Sequence, residues 1–124
     1  MISGTMLLTE RRATIGLRIR NQENLELNVD AVIDTGFSES LTLPLALVEA
    51  LGLVRTKSVE AELADGTRVV AQEFRGRIFW NDGWLEIPIQ ASGRDPLFGM
   101  ALLLNHVLTI EVQDGGMVSI EPLE

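Results

Sequence analysis

The chain has no cysteine and, in 124 residues, a single histidine, His106. The first absence excludes disulfides, thiolate chemistry and cysteine-ligated zinc, and the second leaves no histidine pair for a metal. A serine–histidine–aspartate triad would have to use His106, and no glycine-x-serine-x-glycine elbow accompanies it. Basic residues are few: ten against eighteen acids, a formal charge of −8, with no cluster denser than Arg11-Arg12. Nucleic acid and anionic membrane surfaces need concentrated positive charge and are poor partners for such a chain. No apolar run approaches the ~18 residues of a membrane span. The start, Met1 to Leu8, lacks the basic region and long apolar stretch of a secretory signal. A soluble, cytoplasmic protein is the expectation. Apolar residues make up 46% of the chain, enough for one globular domain with a real core and too short for two.

Alternation with period two dominates what is present. Residues 1–12 read as a loose arm or a terminal strand. From Ala13, the residues Ile15, Leu17 and Ile19 fall on one face and Thr14, Arg18 and Arg20 on the other. After a turn at residues 21–24, Leu25, Leu27, Val29, Ala31 and Ile33 alternate with Glu26, Asn28 and Asp30. Leu41-Thr42-Leu43 is a short strand. Pro44 fits the first position of a helix with Leu45, Leu47, Val48 and Leu51 on one face and Gly52 as its stop. Three hairpins come next, turning at Asp65-Gly66, at Asn81-Asp82-Gly83 and at Asp114-Gly115-Gly116. Their arms are Val59–Ala64 with Thr67–Glu73, Phe74–Trp80 with Trp84–Ala91, and Val107–Val112 with Met117–Glu121. Leu85, Ile87 and Ile89 face the core while Glu86, Pro88 and Gln90 face out, with Pro88 favouring an edge. A loop at 92–96, a very short strand at Leu97-Phe98-Gly99 and a short helix from Met100 to Asn105 complete the pattern. The predicted fold is all-β, a mainly antiparallel closed barrel with two short helices, its domain covering residues 13–124.

One stretch carries chemistry. Ala31-Val32-Ile33 breaks the alternation with a continuous apolar run that ends at Asp34-Thr35-Gly36-Phe37. A dry strand thus delivers a carboxylate to a tight turn, where it needs hydrogen bonds or a shared proton. Asp-x-Gly is also ordinary turn chemistry, and Asp34 taken alone is compatible with that plainer role.

The run Val32-Ile33-Asp34-Thr35-Gly36 resembles the active-site turn of retroviral-type (retropepsin-like) aspartic proteases, including their short single-domain prokaryotic relatives. Ala64-Asp65-Gly66 falls where that family has its flap, and Leu97-Phe98-Gly99 is similar to its hydrophobic-hydrophobic-glycine element. The three occur in the family's order across residues 13–122. The resemblance implies a homodimeric aspartic endopeptidase in which each subunit lends one Asp34, because this chain has only one such turn. It assigns Asp34 to catalysis, with Thr35 and Gly36 as support. Gly36, Phe37, Ala64, Asp65, Gly66 and Thr67 would bind a peptide substrate, and Leu97, Phe98 and Gly99 would pack behind the turn. No metal or cofactor is implied. Two departures stand out: Phe37 is bulky where the viral enzymes often have a small residue, and Met100 follows Gly99 where they often have arginine. They motivate the alternative of a non-catalytic peptide-binding or oligomerising module on the same fold.

Other conspicuous residues read plainly. His106 suits a helix end or the surface, Trp80 and Trp84 suit a cross-strand aromatic pair or a surface patch, and Arg75 and Arg77 suit the solvated face of a strand.

Overall fold

Residues 12–20 alternate as a half-buried strand should, and every second side chain is sealed: Ala13, Ile15, Leu17 and Ile19 are all buried. A computed structural model describes residues 1–124, the side chains of residues 59 and 61 excepted. The strands are β1 (Ile2–Leu7), β2 (Arg12–Arg20), β3 (Glu26–Ile33), β4 (Leu41–Leu43), β5 (Val54–Glu62), β6 (Arg68–Trp80), β7 (Gly83–Ala91), β8 (Leu97–Phe98), β9 (His106–Ile110) and β10 (Met117–Pro122). The helices are α1 (Leu45–Leu51) and α2 (Met100–Leu103).

The strands hydrogen-bond in the order β5-β6-β7-β4-β8-β3-β2-β1-β10-β9, and β2 also pairs with β6 through Ile19↔Ile78 and Arg20↔Arg77. That second pairing closes β2, β3, β8, β4, β7 and β6 into a ring, which removes the sheet edges these strands would otherwise expose. Most neighbours are antiparallel; β3 with β8 and β4 with β7 run parallel. Inside the ring lie Ile15, Ile19, Ala31, Leu41, Leu43, Ile78, Ile89 and Phe98, with Val48 and Leu51 of α1 closing one side. The opening residues are a strand: β1 lies between β2 and β10. No helix among the described residues is long and apolar enough to cross a membrane.

Several local expectations are corrected. The arms Thr67–Glu73 and Phe74–Trp80 are one strand, β6, which pairs with β5 along its first part and with β7 along its second. Pro44 precedes α1 rather than opening it, and Leu45, at the helix's first turn, is exposed instead of buried. Helix α2 ends at Leu103, and Asn105 takes a left-handed φ of 63° before β9. Leu85 shares a face with Ile87 and Ile89 but lies where β7 has β6 as its only neighbour, and it stays exposed. Pro88 pairs with Arg75 of β6 and sits just before the β4 pairing begins, where β7 has one strand neighbour.

The two tryptophans do not pair. Trp80 is buried against Phe98 and His106, with ring centroids 5.3 and 5.4 Å away. Trp84 packs edge-on to Phe79, and the guanidinium of Arg20 lies 4.1 Å from its ring centre. Arg77 is more than a solvated side chain, donating to the Asn21 carbonyl and to Asn24 Oδ1 at 2.7 Å each. His106 opens β9 half-buried, with Nδ1 2.7 Å from the Leu104 carbonyl and Nε2 2.9 Å from Asn81 Nδ2.

Asn21 ties the helix to the ring. Its side chain is buried, donates to the Leu51 carbonyl (2.7 Å) and accepts the N–H groups of Glu23 and Leu25. Asn21→Ala leaves these main-chain groups without that partner and is expected to cost roughly 2 kcal/mol or more. Chemical denaturation checks this; a change under about 0.5 kcal/mol, the range of surface substitutions, would contradict the assignment.

Candidate active site

Strand β3 ends at Ile33, and the turn after it is stitched to β8 and the start of α2. Leu97-Phe98 runs parallel to Val32-Ile33 on one side and antiparallel to Leu41-Thr42 on the other, so β8 is inserted between the two strands that the 34–40 turn connects. The Asp34 N–H donates to the Phe98 carbonyl (2.9 Å), Gly99 N–H to the Ser40 carbonyl (2.9 Å) and Met100 N–H to the Phe37 carbonyl (2.8 Å). The turn is closed within itself as well. Gly36 N–H donates to Asp34 Oδ1 (2.9 Å) and Phe37 N–H to the Asp34 carbonyl (3.1 Å). The Asp34 carboxylate is therefore half-buried, held by a main-chain donor and aimed by a turn whose backbone is fixed at both ends.

This arrangement requires glycine at position 99. A Cβ there would stand 2.0 Å from the Glu39 carbonyl oxygen and 2.6 Å from the Phe37 ring. The bulk of Phe37 and the absence of a side chain at Gly99 are one feature: the half-buried ring lies over the glycine backbone. Thr42, buried beside it, accepts the Leu97 N–H through its hydroxyl (3.2 Å) and secures the other side of β8.

Opposite the turn stands the β5–β6 hairpin. Its tip is closed by Leu63 N–H to the Thr67 carbonyl (2.8 Å) and by Asp65, whose Oδ1 accepts the Thr67 N–H (2.9 Å). Bonding from the Thr67 side chain and N–H holds the Asp65 carboxyl below the usual aspartate range. Between hairpin and turn is a cleft of about 580 Å³, lined by Asp34, Gly36, Phe37, Thr42, Glu62, Leu63, Ala64, Gly66, Gln90, Ser92 and Leu97.

Of the residues that the sequence marks, Asp34, Gly36, Phe37, Ala64, Gly66 and Leu97 meet in this cleft. Thr35 is exposed in the turn without lining it, and Asp65 and Thr67 shape the hairpin tip from outside. Phe98 and Gly99 are buried behind the turn. Thr42, Glu62, Leu63, Gln90 and Ser92 also line the cleft, and no sequence signal marks them. Alternation along β7 turns Gln90 outward, yet it is half-buried in the cleft, because β7 continues beside β4 at Thr42↔Gln90. Alternation gives the face of a strand; it does not give what lies across from that face.

The glycine contact and the hairpin tip can each be tested. Gly99→Ala should destabilise the fold by about 1–3 kcal/mol through overpacking, with the largest chemical-shift changes at residues 34–40; an unperturbed turn would contradict the contact. At the tip the variable is pH. Because its folded pKa lies below its unfolded one, the Asp65 carboxylate stabilises the tip fully above the usual aspartate range. That contribution is lost as pH falls through the lowered value. The Thr67 amide resonance should titrate with a midpoint below that range, and an ordinary midpoint would contradict the turn.

No protein-family model matches the chain, and no curated protein does. Solved structures do. EIAV protease complexed with the inhibitor HBY-793 superposes with a TM-score of 0.58 at 16% identity, covering 76% of this chain and 86% of the viral one. A retropepsin-like aspartic protease from Rickettsia conorii superposes with a TM-score of 0.61 at 18% identity, covering 93% of this chain and 87% of its own. At these identities the likeness is one of fold. The chain has the fold of retropepsin-like aspartic proteases.

Proposed function

We propose that the protein is an aspartic endopeptidase that works as a homodimer, each subunit contributing Asp34 to one site on a two-fold axis. The observation that carries this reading is the shared cleft: a carboxylate held at a strand end faces a hairpin whose tip can cover an extended peptide. The retropepsin-like fold supports this reading, and Asp34 and its turn carry the chemistry.

The chemistry explains why one chain is not enough. Two carboxylates about 3 Å apart cannot both ionise, so they share a proton, one serving as base and the other as acid. The base takes a proton from water as its oxygen attacks the peptide carbonyl carbon, and the acid protonates the carbonyl oxygen. Collapse of the tetrahedral species then breaks the C–N bond as the leaving nitrogen takes the proton that the first carboxylate removed from water, and the second carboxylate takes back one hydroxyl proton, restoring the pair. Thr35, exposed in the turn, bonds across the axis to the partner turn in this scheme. Gly36 offers main chain to the substrate, and β8 holds the turn from behind.

Cleavage of an unstructured polypeptide at mildly acid pH should fall ~10²–10⁴-fold in Asp34→Asn, with an unchanged melting temperature, and a statine-type mimic of the tetrahedral species should inhibit the wild type. Undiminished hydrolysis by the variant would remove Asp34 from the mechanism. A protein that binds peptides as a strict monomer and cleaves none would favour a binding module instead.

A further inference from the structure

Strand β6 has two neighbours only from Gln72 onward, because its pairing with β7 ends at Gln72↔Ala91. Along Arg68–Ala71 it pairs with β5 alone, and among the described residues no strand occupies its other side. The space at that vacant edge is a hollow of about 250 Å³ lined by Leu45, Val70, Ala71, Gln72, Ala91, Ser92 and Gly93, none of them charged. Ser92 also lines the Asp34 cleft, so the hollow adjoins the cleft at that residue.

Two of its lining residues, Leu45 and Val70, are exposed apolar side chains, while Ala71 is buried and Ala91 packs against the core. Leu45 is 53% exposed and Val70 72% exposed, although the helical spacing of Leu45 matches the buried Val48. The hollow's volume is below the ~300 Å³ at which pockets begin to hold whole small ligands, and suits one large side chain. Its distance from the cleft is set by the end of β4 and the extended Pro44 that leads into α1. Thr42 lines the cleft and Leu45 the hollow, three residues further on, about 10 Å at the rise of an extended chain.

We propose that the hollow is a second recognition point for the peptide substrate. A polypeptide lying in the Asp34 cleft continues past Ser92, adds as a strand to the vacant Arg68–Ala71 edge, and seats one large apolar side chain (Leu, Met or Phe) between Leu45 and Val70. The occupant is the substrate itself, since the hollow adjoins the cleft at Ser92 and pairs an unused main-chain edge with an uncharged wall. This rests on the endopeptidase reading for its substrate and extends it to selectivity. The substrate class becomes extended segments with an apolar residue some three positions from the cleft.

The test uses fluorescent peptides that share one core and carry Leu or Asp at a single flanking position, scanned outward residue by residue. With the wild type, one distal position should show a Leu-over-Asp preference in kcat/KM of roughly 10–100-fold. Leu45→Asp and Val70→Asp, both at exposed sites, should abolish or reverse that preference while peptides with a neutral, small residue there are cleaved as before. A preference that survives both variants, or no distal preference, overturns the proposal. If the wild type cleaves none of the set, the endopeptidase reading fails on its own. Fluorescence anisotropy of the same peptides then decides the hollow: Leu-selective binding lost in Leu45→Asp supports it, and equal or absent binding overturns it.

Discussion

Strand β8 can lie between β3 and β4 only because Gly99 presents no side chain to the Glu39 carbonyl and the Phe37 ring. Everything at the site depends on that insertion. Two residues of strand supply an acceptor for the Asp34 N–H, and the residues just after them supply donors to the Ser40 and Phe37 carbonyls. The turn that carries the carboxylate is thereby bonded on both flanks to a segment remote from it in sequence. A turn held only by its own Asx bond would leave the carboxylate free to follow solvent. Phe98, wholly buried and in contact with Trp80, anchors the inserted strand in the core, so the site's geometry draws on the stability of the ring rather than on a surface loop.

The opposite wall is built otherwise. Beyond Ala71 the β5–β6 hairpin leaves the ring, and its residues 62–70 are exposed. Its order comes from the β5–β6 ladder and from the Asp65–Thr67 bonds at the tip, with little apolar burial behind them. Segments with few buried contacts and solvent-facing ladders open at low cost, which in the proposed endopeptidase would let this wall admit a chain and then cover it. Thus a carboxylate anchored to the core faces a hairpin with little burial behind it, and the difference between them comes from where the apolar side chains are placed.

Much of this is legible in the sequence, for identifiable reasons. Alternation in residues 13–33 marks two strands and their buried faces, and the Asp-Gly and Asn-Asp-Gly turns place the hairpins. The Asp34-Thr35-Gly36 turn, the Ala64-Asp65-Gly66 tip and the Leu97-Phe98-Gly99 strand all stand out locally, and the fold they resemble is the fold found. What escapes a sequence reading depends on partners remote along the chain. The continuity of β6 through Glu73-Phe74 is set by β7 taking over from β5, which no local pattern records. Asn21 looks like one of four polar turn residues, and its burial under Leu51 is a tertiary event. Trp80 turns from Trp84 to Phe98 because the latter fills the ring's interior. Gln90 and Thr42 enter the cleft through the parallel β4–β7 pairing, and parallel neighbours leave no turn signal between them.

In the proposed dimer, one catalytic unit needs the Asp34 of two chains. Co-refolding wild-type protein with Asp34→Asn in graded ratios at constant total concentration measures this directly. If both carboxylates are required, activity follows the square of the wild-type fraction, so a one-to-one mixture retains about a quarter of the activity of pure wild type, the statistical share of pairs made of two wild-type chains. A linear dependence, with half the activity retained in the same mixture, would mean that each chain acts alone, and would contradict the account.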